Sequence, residues 1–498
     1  MDLLSNLALG FSVASSLANL AFCLIGVLLG TLIGVLPGIG ATATIAMLLP
    51  ITFQLEPVSS LIMLAGIYYG AQYGGSTTAI LINMPGESSS AVTAIDGYQM
   101  ARKGRAGTAL ATAALGSFFA GTVATFLVAI FAPPLTAVAL KFGAAEYFSL
   151  MVMGLVMSVA LAHGSVLKAL AMVVLGLLLG IVGTDIYTGA PRFTLGITQY
   201  ADGLNFVAVA VGVFGIAEIL RNLEDEHDRE VMTKNISRLF PTREEFRQMI
   251  GPVLRGTGVG SVLGILPGGG AILASFASYT IEKKVSARPQ EFGKGALAGV
   301  AGPESANNAG AQTSFIPLLT LGIPANPVMA LMIGAMIIQG IVPGPNVVSE
   351  QPALFWGIIA SMWIGNLMLV ILNLPLVGIW VRLLSVPYKL LYPAIMLLCC
   401  IGAFSLKNDV FEIYLCAIMC LAGYIVVALG LPAAPLLLGF ILGPMLEENL
   451  RRALLISRGD FSVLFSSWIS LGFYAVAIVS IIAMTAPSIR TKREVLEE

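Results

Sequence analysis

Not one lysine or arginine occurs before Arg102 of this 498-residue chain, and only 11% of its residues are charged. The basic n-region of a cleaved signal peptide is therefore missing, and the first apolar span is expected to stay in the mature protein. A net charge of −1 offers no basic surface for nucleic acid. The two histidines, His163 and His227, are too few and too isolated for a metal centre. Cys23, Cys399, Cys400, Cys416 and Cys420 all fall in apolar runs and form no CxxC pair, as expected for buried small hydrophobes rather than redox groups.

What the chain does have is apolar length. Hydrophobic residues make up 57% of it, and the mean hydropathy is +0.92. Runs long enough to cross a hydrocarbon core recur from residue 16 to 220 and again from 252 to 486. About a dozen crossings are expected, in an all-α polytopic membrane protein of about 12 transmembrane helices.

The chain also repeats itself. Residues 30–41 read GTLIGVLPGIGA, and 260–271 read GSVLGILPGGGA, with seven identities in twelve positions. At the same offset Glu218 and Arg221 lie against Glu448 and Arg451. A duplication with a first membrane repeat at 1–220 and a second at 251–498 is expected, joined by a polar cytoplasmic connector at 221–250 that is dense in both signs of charge. The loop at 54–57 has no basic residue, while its counterpart carries Lys283, Lys284, Arg288 and Lys294. Conversely Arg102, Lys103 and Arg105 follow the second motif of the first half, and 295–381 has none. Basic loops stay on the cytoplasmic side, so both comparisons favour repeats of inverted sense; Lys141 with Arg382 and Arg221 with Arg451 are equivalent pairs of like sign.

Pro37, Gly38 and Gly40, and their counterparts Pro267, Gly268 and Gly270, break helices inside runs that could sit in lipid. A broken span strands backbone groups at several kcal/mol apiece unless it lines a cavity or packs inside protein. The two motifs are therefore expected at hairpin tips or unwound helices, where backbone N–H groups approach an anion and Thr42, Thr44 and Ser275 add hydroxyls. The competing reading is a kink that packs helices through small residues. Each half also holds a second polar island, running from Gly70 through Asn83, Pro85, Gly86, Glu87 and Ser88 to Asp96, and from Gly302 through Glu304, Ser305, Asn307, Asn308 and Gln312 to Gly322 and Pro324. Polar groups at such depth are candidates for binding substrate or ion, and Glu304 and Asp96 for carrying a proton or helping to hold sodium. Each acid has an alternative as an interfacial loop residue or helix cap, and Glu87 as a carboxylate at a helix N-terminus. The EENLRR stretch at 447–452 reads as a helix end with internal ion pairs, and Arg490, Lys492 and Arg493 argue for a cytoplasmic C-terminus.

The succession of GTLIGVLPGIGATATIAMLLP, LINMPGESSSAVTAIDGYQMARKGRAG, GILPGGGAILASFASYTIEKK, PESANN, LLTLGIP and GFILGPMLEENLRRALLISRGD resembles the large membrane subunit of the tripartite tricarboxylate transporters, the TctA family. The resemblance implies a secondary transporter of the bacterial inner membrane. It would import di- or tricarboxylate anions on a sodium or proton gradient, with no other cofactor. Its partners would be a small membrane subunit of about four spans and a periplasmic solute-binding protein. Carried over, the signature positions are Pro37, Gly38, Gly40, Asn83, Pro85, Gly86, Asp96 and Gly97, then Pro267, Gly268, Gly270, Pro303, Glu304, Asn307, Asn308, Gly322 and Pro324. Many members read Pro-Gly-Thr-Pro where this chain reads Pro-Gly-Glu-Ser at 85–88, which puts an acid by the expected anion site and a citrate-like specificity in question. A passive channel, or an enzyme using the GGST at 74–77 with His163, are the other classes; no GxSxG elbow supports the latter. The solute, the coupling ion, the type of motion and the oligomeric state, a homodimer included, stay open.

Overall fold

The computed structural model describes residues 3–36, 40–52, 54–162, 165–217, 220, 239–266, 270–383, 393, 396–397, 399–401, 403–404 and 407–485. Among them the chain is almost wholly helical, with one antiparallel pair of short strands, Gly183–Thr184 and Pro191–Arg192. Four described helices are long and apolar enough to cross a membrane: Leu17–Val35, Ala106–Ala139, Pro352–Asn373 and Val410–Ala428. Other apolar runs form shorter helices, such as Gly40–Thr52, Val166–Gly180 and Pro327–Ile338. Large apolar side chains such as Phe126, Phe131, Leu167 and Tyr414 stand exposed, as they must where lipid is the solvent.

Within lipid, apolar surface gives helices no reason to associate, so close backbone approach has to supply the contact. Glycine at every fourth position does so here. Gly26, Gly30 and Gly34 line one face of Leu17–Val35 and lie against Pro57–Ile82, whose Gly66, Gly70 and Gly74 face back. A Cβ on Gly30 would sit 2.3 Å from the Ile67 carbonyl oxygen. The second half repeats the device. Gly256 and Gly260 of Arg243–Leu263 press on Ala298–Thr313, where a Cβ on either would sit 2.2 Å from the carbonyl oxygen of Gly302 or Ala306. Gly176 and Gly180 meet Leu436 and Phe440 of Ala433–Ile456 in the same manner.

Each half thus presents a glycine-packed pair of helices, Leu17–Val35 with Pro57–Ile82 and Arg243–Leu263 with Ala298–Thr313, and the second of each pair leads to a break, in the second half by way of the short helix Phe315–Leu321. Pro57–Ile82 ends at Asn83, with φ 60°, and Phe315–Leu321 ends at Gly322, with φ 70°. Both are left-handed caps followed two residues later by proline, Pro85 and Pro324, which cannot continue a helix. In the second half Asn326 caps the helix that restarts, Pro327–Ile338, by accepting from Met329 N at 3.0 Å. Pro57–Ile82 runs antiparallel to Ala298–Thr313 and the Phe315–Leu321 turn that follows it: Ser76 meets Glu304, while the Tyr69 and Phe315 rings lie 6.1 Å apart. The halves also exchange contacts. Lys103, past the helix Ala91–Arg102, donates to the carbonyl of Lys294 in the basic loop of the second half. Gln339, past Pro327–Ile338, donates at 2.9 Å to the Thr52 carbonyl in the corresponding turn of the first.

The helix Arg243–Leu263 begins inside the stretch read as connector, because Thr242 and Glu245 form a capping box: Glu245 N donates to Thr242 Oγ1 at 3.1 Å and Thr242 N to Glu245 Oε2 at 2.8 Å. Arg105 pairs with Glu245 at 2.8 Å, tying this helix to the start of Ala106–Ala139. Residues 221–238, Lys389 and the basic C-terminal tail lie outside the described residues. Glu447 with Arg451 and Glu448 with Arg452 form the expected ion pairs within a helix, at 2.7 and 2.6 Å. All five cysteines are free thiols, four of them buried and Cys400 half-buried.

Candidate functional site

Glu304 occupies the place where the two halves meet. It is 1% exposed. Thr93 Oγ1, from Ala91–Arg102, donates to its Oε1, and Ser76 Oγ, from the long helix of the first half, lies 2.6 Å from Oε2. A narrow cavity of about 10 Å³, the size of one water molecule, opens beside it, lined by Tyr73, Ser76, Thr77, Ser117 and Asn373. One turn on, Asn308 donates from Nδ2 to Ser117 Oγ at 2.6 Å and to the Glu304 carbonyl at 3.1 Å. Asn307 is 0% exposed, and neither its Oδ1 nor its Nδ2 has a hydrogen-bond partner among the described residues. An unpaired buried amide costs ~1–3 kcal/mol, so Asn307 is a group that a polar ligand would satisfy.

Asp96 has a different office. It is 0% exposed and accepts from Tyr279 OH at 2.9 Å, Gly295 N at 2.7 Å and Ala296 N at 2.8 Å. Its carboxylate therefore caps the approach to Ala298–Thr313 and clasps the two halves together, the helix-cap alternative of the sequence reading. Asp96→Ala leaves three donors without their acceptor, Ala296 N buried and Tyr279 OH and Gly295 N half-buried, and a loss of about 2 kcal/mol is expected, seen as a lower melting temperature of the purified protein in detergent.

Pro37, Gly38, Pro267 and Gly268, expected at hairpin tips or unwound helices, lie outside the described residues, as does His163. Their flanks are described. Gly40 opens Gly40–Thr52 with φ 63°, and Ala41 N donates to Glu87 Oε1, so a carboxylate does sit at this half-helix N-terminus. It belongs to the protein's own Glu87. Thr42 is half-buried, whereas Thr44 and Ser275 turn their hydroxyls back onto the carbonyls of Gly40 and Ala271, at 2.8 and 3.0 Å. Gly270 starts Gly270–Val285, close to Gly264. Asn83, Pro85 and Ser88 are exposed, while Gly322 and Pro324 of the second half are buried. Gly86 packs closely against Gly34, and Ser305 turns its hydroxyl onto the Ala301 carbonyl of its own helix at 2.8 Å.

The structure adds residues the sequence reading passed over: Thr93, Ser117, Asn366 and Asn373. Asn366 accepts from Tyr73 OH at 2.8 Å and donates to the Phe118 carbonyl at 2.9 Å. The available signal was a lone polar residue in an apolar run, and for the two asparagines a seven-residue spacing that puts both on one helix face.

A model of the tripartite tricarboxylate transporter TctA family matches residues 20–438, a span that holds both broken helices and the buried acid. The chain belongs to the TctA family. That is a family of transporters, and this member is accordingly a membrane protein of a tripartite system. It is 66% identical over 494 residues to an uncharacterised 52.8 kDa protein in the TAR-I ttuC' 3' region of Agrobacterium vitis, covering 99% of this chain and 98% of that one. An uncharacterised protein of the TAR-II ttuC' 3' region of the same organism is 60% identical over 235 residues, 97% of its own length and 47% of this chain. No solved structure matches.

Proposed function

We propose that this TctA-family chain is the large membrane subunit of a secondary active importer of organic acid anions, di- or tricarboxylates, coupled to a sodium or proton gradient. It works in the bacterial inner membrane with its C-terminus cytoplasmic, beside a small membrane subunit and a periplasmic binding protein that delivers the solute. The repeats at 1–220 and 251–498 are inverted, and alternating access moves one part against the other around the tips and islands. The observation that carries this reading is the reciprocal meeting of the halves. Pro57–Ile82 runs antiparallel to Ala298–Thr313 and the Phe315–Leu321 turn that follows it, the chain breaks at a left-handed cap after each, and the buried polar groups Glu304 and Asn307 stand at the crossing. Irregular backbone and buried acids at membrane depth are sustained where they serve a passage. Half-helix starts supply a positive field, since neither polar island holds an arginine. Counter-cations would offset the anion's charge during transit.

The test reconstitutes the chain with its small subunit in liposomes, adds the binding protein, and follows labelled di- and tricarboxylates under imposed sodium or proton gradients. Accumulation that requires both the binding protein and one gradient is expected. Passive equilibration would assign a channel instead, and turnover of the solute in detergent an enzyme.

A further inference from the structure

The hydrogens around Glu304 do not suffice if its carboxyl is ionised. Ser76 has one hydroxyl hydrogen, yet its Oγ lies 2.9 Å from the Gln72 carbonyl oxygen and 2.6 Å from Glu304 Oε2. Both are pure acceptors while the glutamate carries its charge, so one close oxygen–oxygen contact would hold no hydrogen. A proton on Oε2 fills both. The acid donates to Ser76 Oγ, Ser76 donates to the Gln72 carbonyl, and Oε1 accepts from Thr93.

Charge points the same way. The helices lining the cavity, Pro57–Ile82, Ala106–Ala139, Ala298–Thr313 and Pro352–Asn373, contain no lysine, arginine or histidine. A buried carboxylate without a cation takes up a proton rather than bear the desolvation. The other titratable groups on the elements packed against it are Tyr68, Tyr69 and Tyr73 of Pro57–Ile82, Glu87 at the Gly40 helix start, and, on Ala91–Arg102, Tyr98, Asp96, which three donors already satisfy, and Arg102, which is exposed at the end of that helix, nine residues or about 13 Å of helix axis from Thr93. Across Ala298–Thr313, Arg255 is held by Glu282 in a bidentate pair at 2.7 and 2.8 Å, and Tyr279 by Asp96. None of these supplies Glu304 with a counter-charge.

We propose, resting on the transport reading above, that Glu304 is the proton-binding site through which uptake is coupled to a proton gradient. The acid is neutral in the state described here. On release, the Oε2–H bond breaks and the proton passes to a water in the adjoining cavity, leaving a carboxylate and a hydronium ion. The Ser76 hydrogen then turns from the Gln72 carbonyl to Oε2. Asn373 Oδ1, which has no partner among the described residues and lines the same cavity, accepts from that water.

The test is infrared difference spectroscopy of the reconstituted complex titrated in pH, together with uptake in proteoliposomes. A protonated-carboxyl band that persists through neutral pH and vanishes in Glu304→Gln is expected, with pH-gradient-driven accumulation falling about a hundredfold in that variant. Size-exclusion chromatography checks its folding, and Glu304→Asp, which keeps an ionisable group, is expected to recover part of the accumulation. The proposal is overturned if the band is absent at neutral pH or survives Glu304→Gln. It is equally overturned if wild-type accumulation follows a sodium gradient alone, which would make the site a sodium ligand. The spectrum needs no transport, so the two readings separate. A Glu304 band in a complex that carries no carboxylate would sink the function proposed above and with it the coupling role, while leaving the acid protonated.

Discussion

Gly30→Leu and Gly260→Leu are each expected to remove the folded protein from the membrane, whereas Gly258→Leu leaves it intact. Gly30 and Gly260 are the first residues of the two repeated motifs, and the atoms their Cβ would strike are backbone: the Ile67 oxygen at 2.3 Å and the Ala306 oxygen at 2.2 Å. No rotamer change relieves such a contact; the helices have to part. Overpacking a well-packed core commonly costs ~1–3 kcal/mol. Here parting the helices also undoes the neighbouring contacts of Gly26 and Gly34, or of Gly256 and Gly264, so the upper end or beyond is expected. Gly258 lies on the same helix as Gly260, has nothing within 4 Å of its Cβ position and faces outward. The yield of monodisperse protein after detergent extraction reads the difference. Comparable yields of all three variants would show that the glycine faces are not what binds these helices.

Gly38→Leu and Gly268→Leu should behave in the opposite way, leaving insertion and folding unchanged and abolishing transport. Both positions lie outside the described residues, so the expectation rests on their flanks. Leucine is a good helix former and removes the close backbone approach that glycine allows at a tip. A displacement of about 1 Å at a binding group costs on the order of a hundredfold in rate, and uptake at least that much lower than wild type is expected in proteoliposomes. If both variants transport normally, the tips are packing kinks and the site lies elsewhere. The contrast between position 30 and position 38, eight residues apart in one motif, separates the two meanings that glycine has in this chain.

Both meanings were present in the repeated GTLIGVLPGIGA, yet the letters alone do not divide them. Four-residue spacing of Gly26, Gly30 and Gly34 is visible in the sequence, but it marks a helix face only once a partner with matching Gly66, Gly70 and Gly74 is opposite. Thr242 and Glu245 are a case where local chemistry was sufficient: Thr-x-x-Glu is a capping box by itself, and it carries Arg243–Leu263 back into the charged stretch that reads as connector. The two acids are the reverse case. Asp96 and Glu304 sit in similar polar islands and have the same claim on a proton or a sodium ion as long as only neighbours in sequence are considered.

By itself the sequence determined that this is an all-helical membrane protein with a twice-written proline-glycine motif and the signature of its family. Those properties follow from hydropathy, periodicity and the short-range geometry of proline and glycine, all local in the chain. Only the tertiary structure decided what each polar residue does with its hydrogen-bonding capacity, because the partners are far away in sequence. Asp96 is saturated by Tyr279, Gly295 and Ala296, Glu87 is bonded to Ala41, and Glu304 meets neutral hydroxyls, those of Ser76, Thr93 and Ser117. A carboxylate held by three donors is a clasp, and one buried among neutral groups is what the proposed proton site requires; that distinction is a property of the surroundings, which form only when distant segments come together.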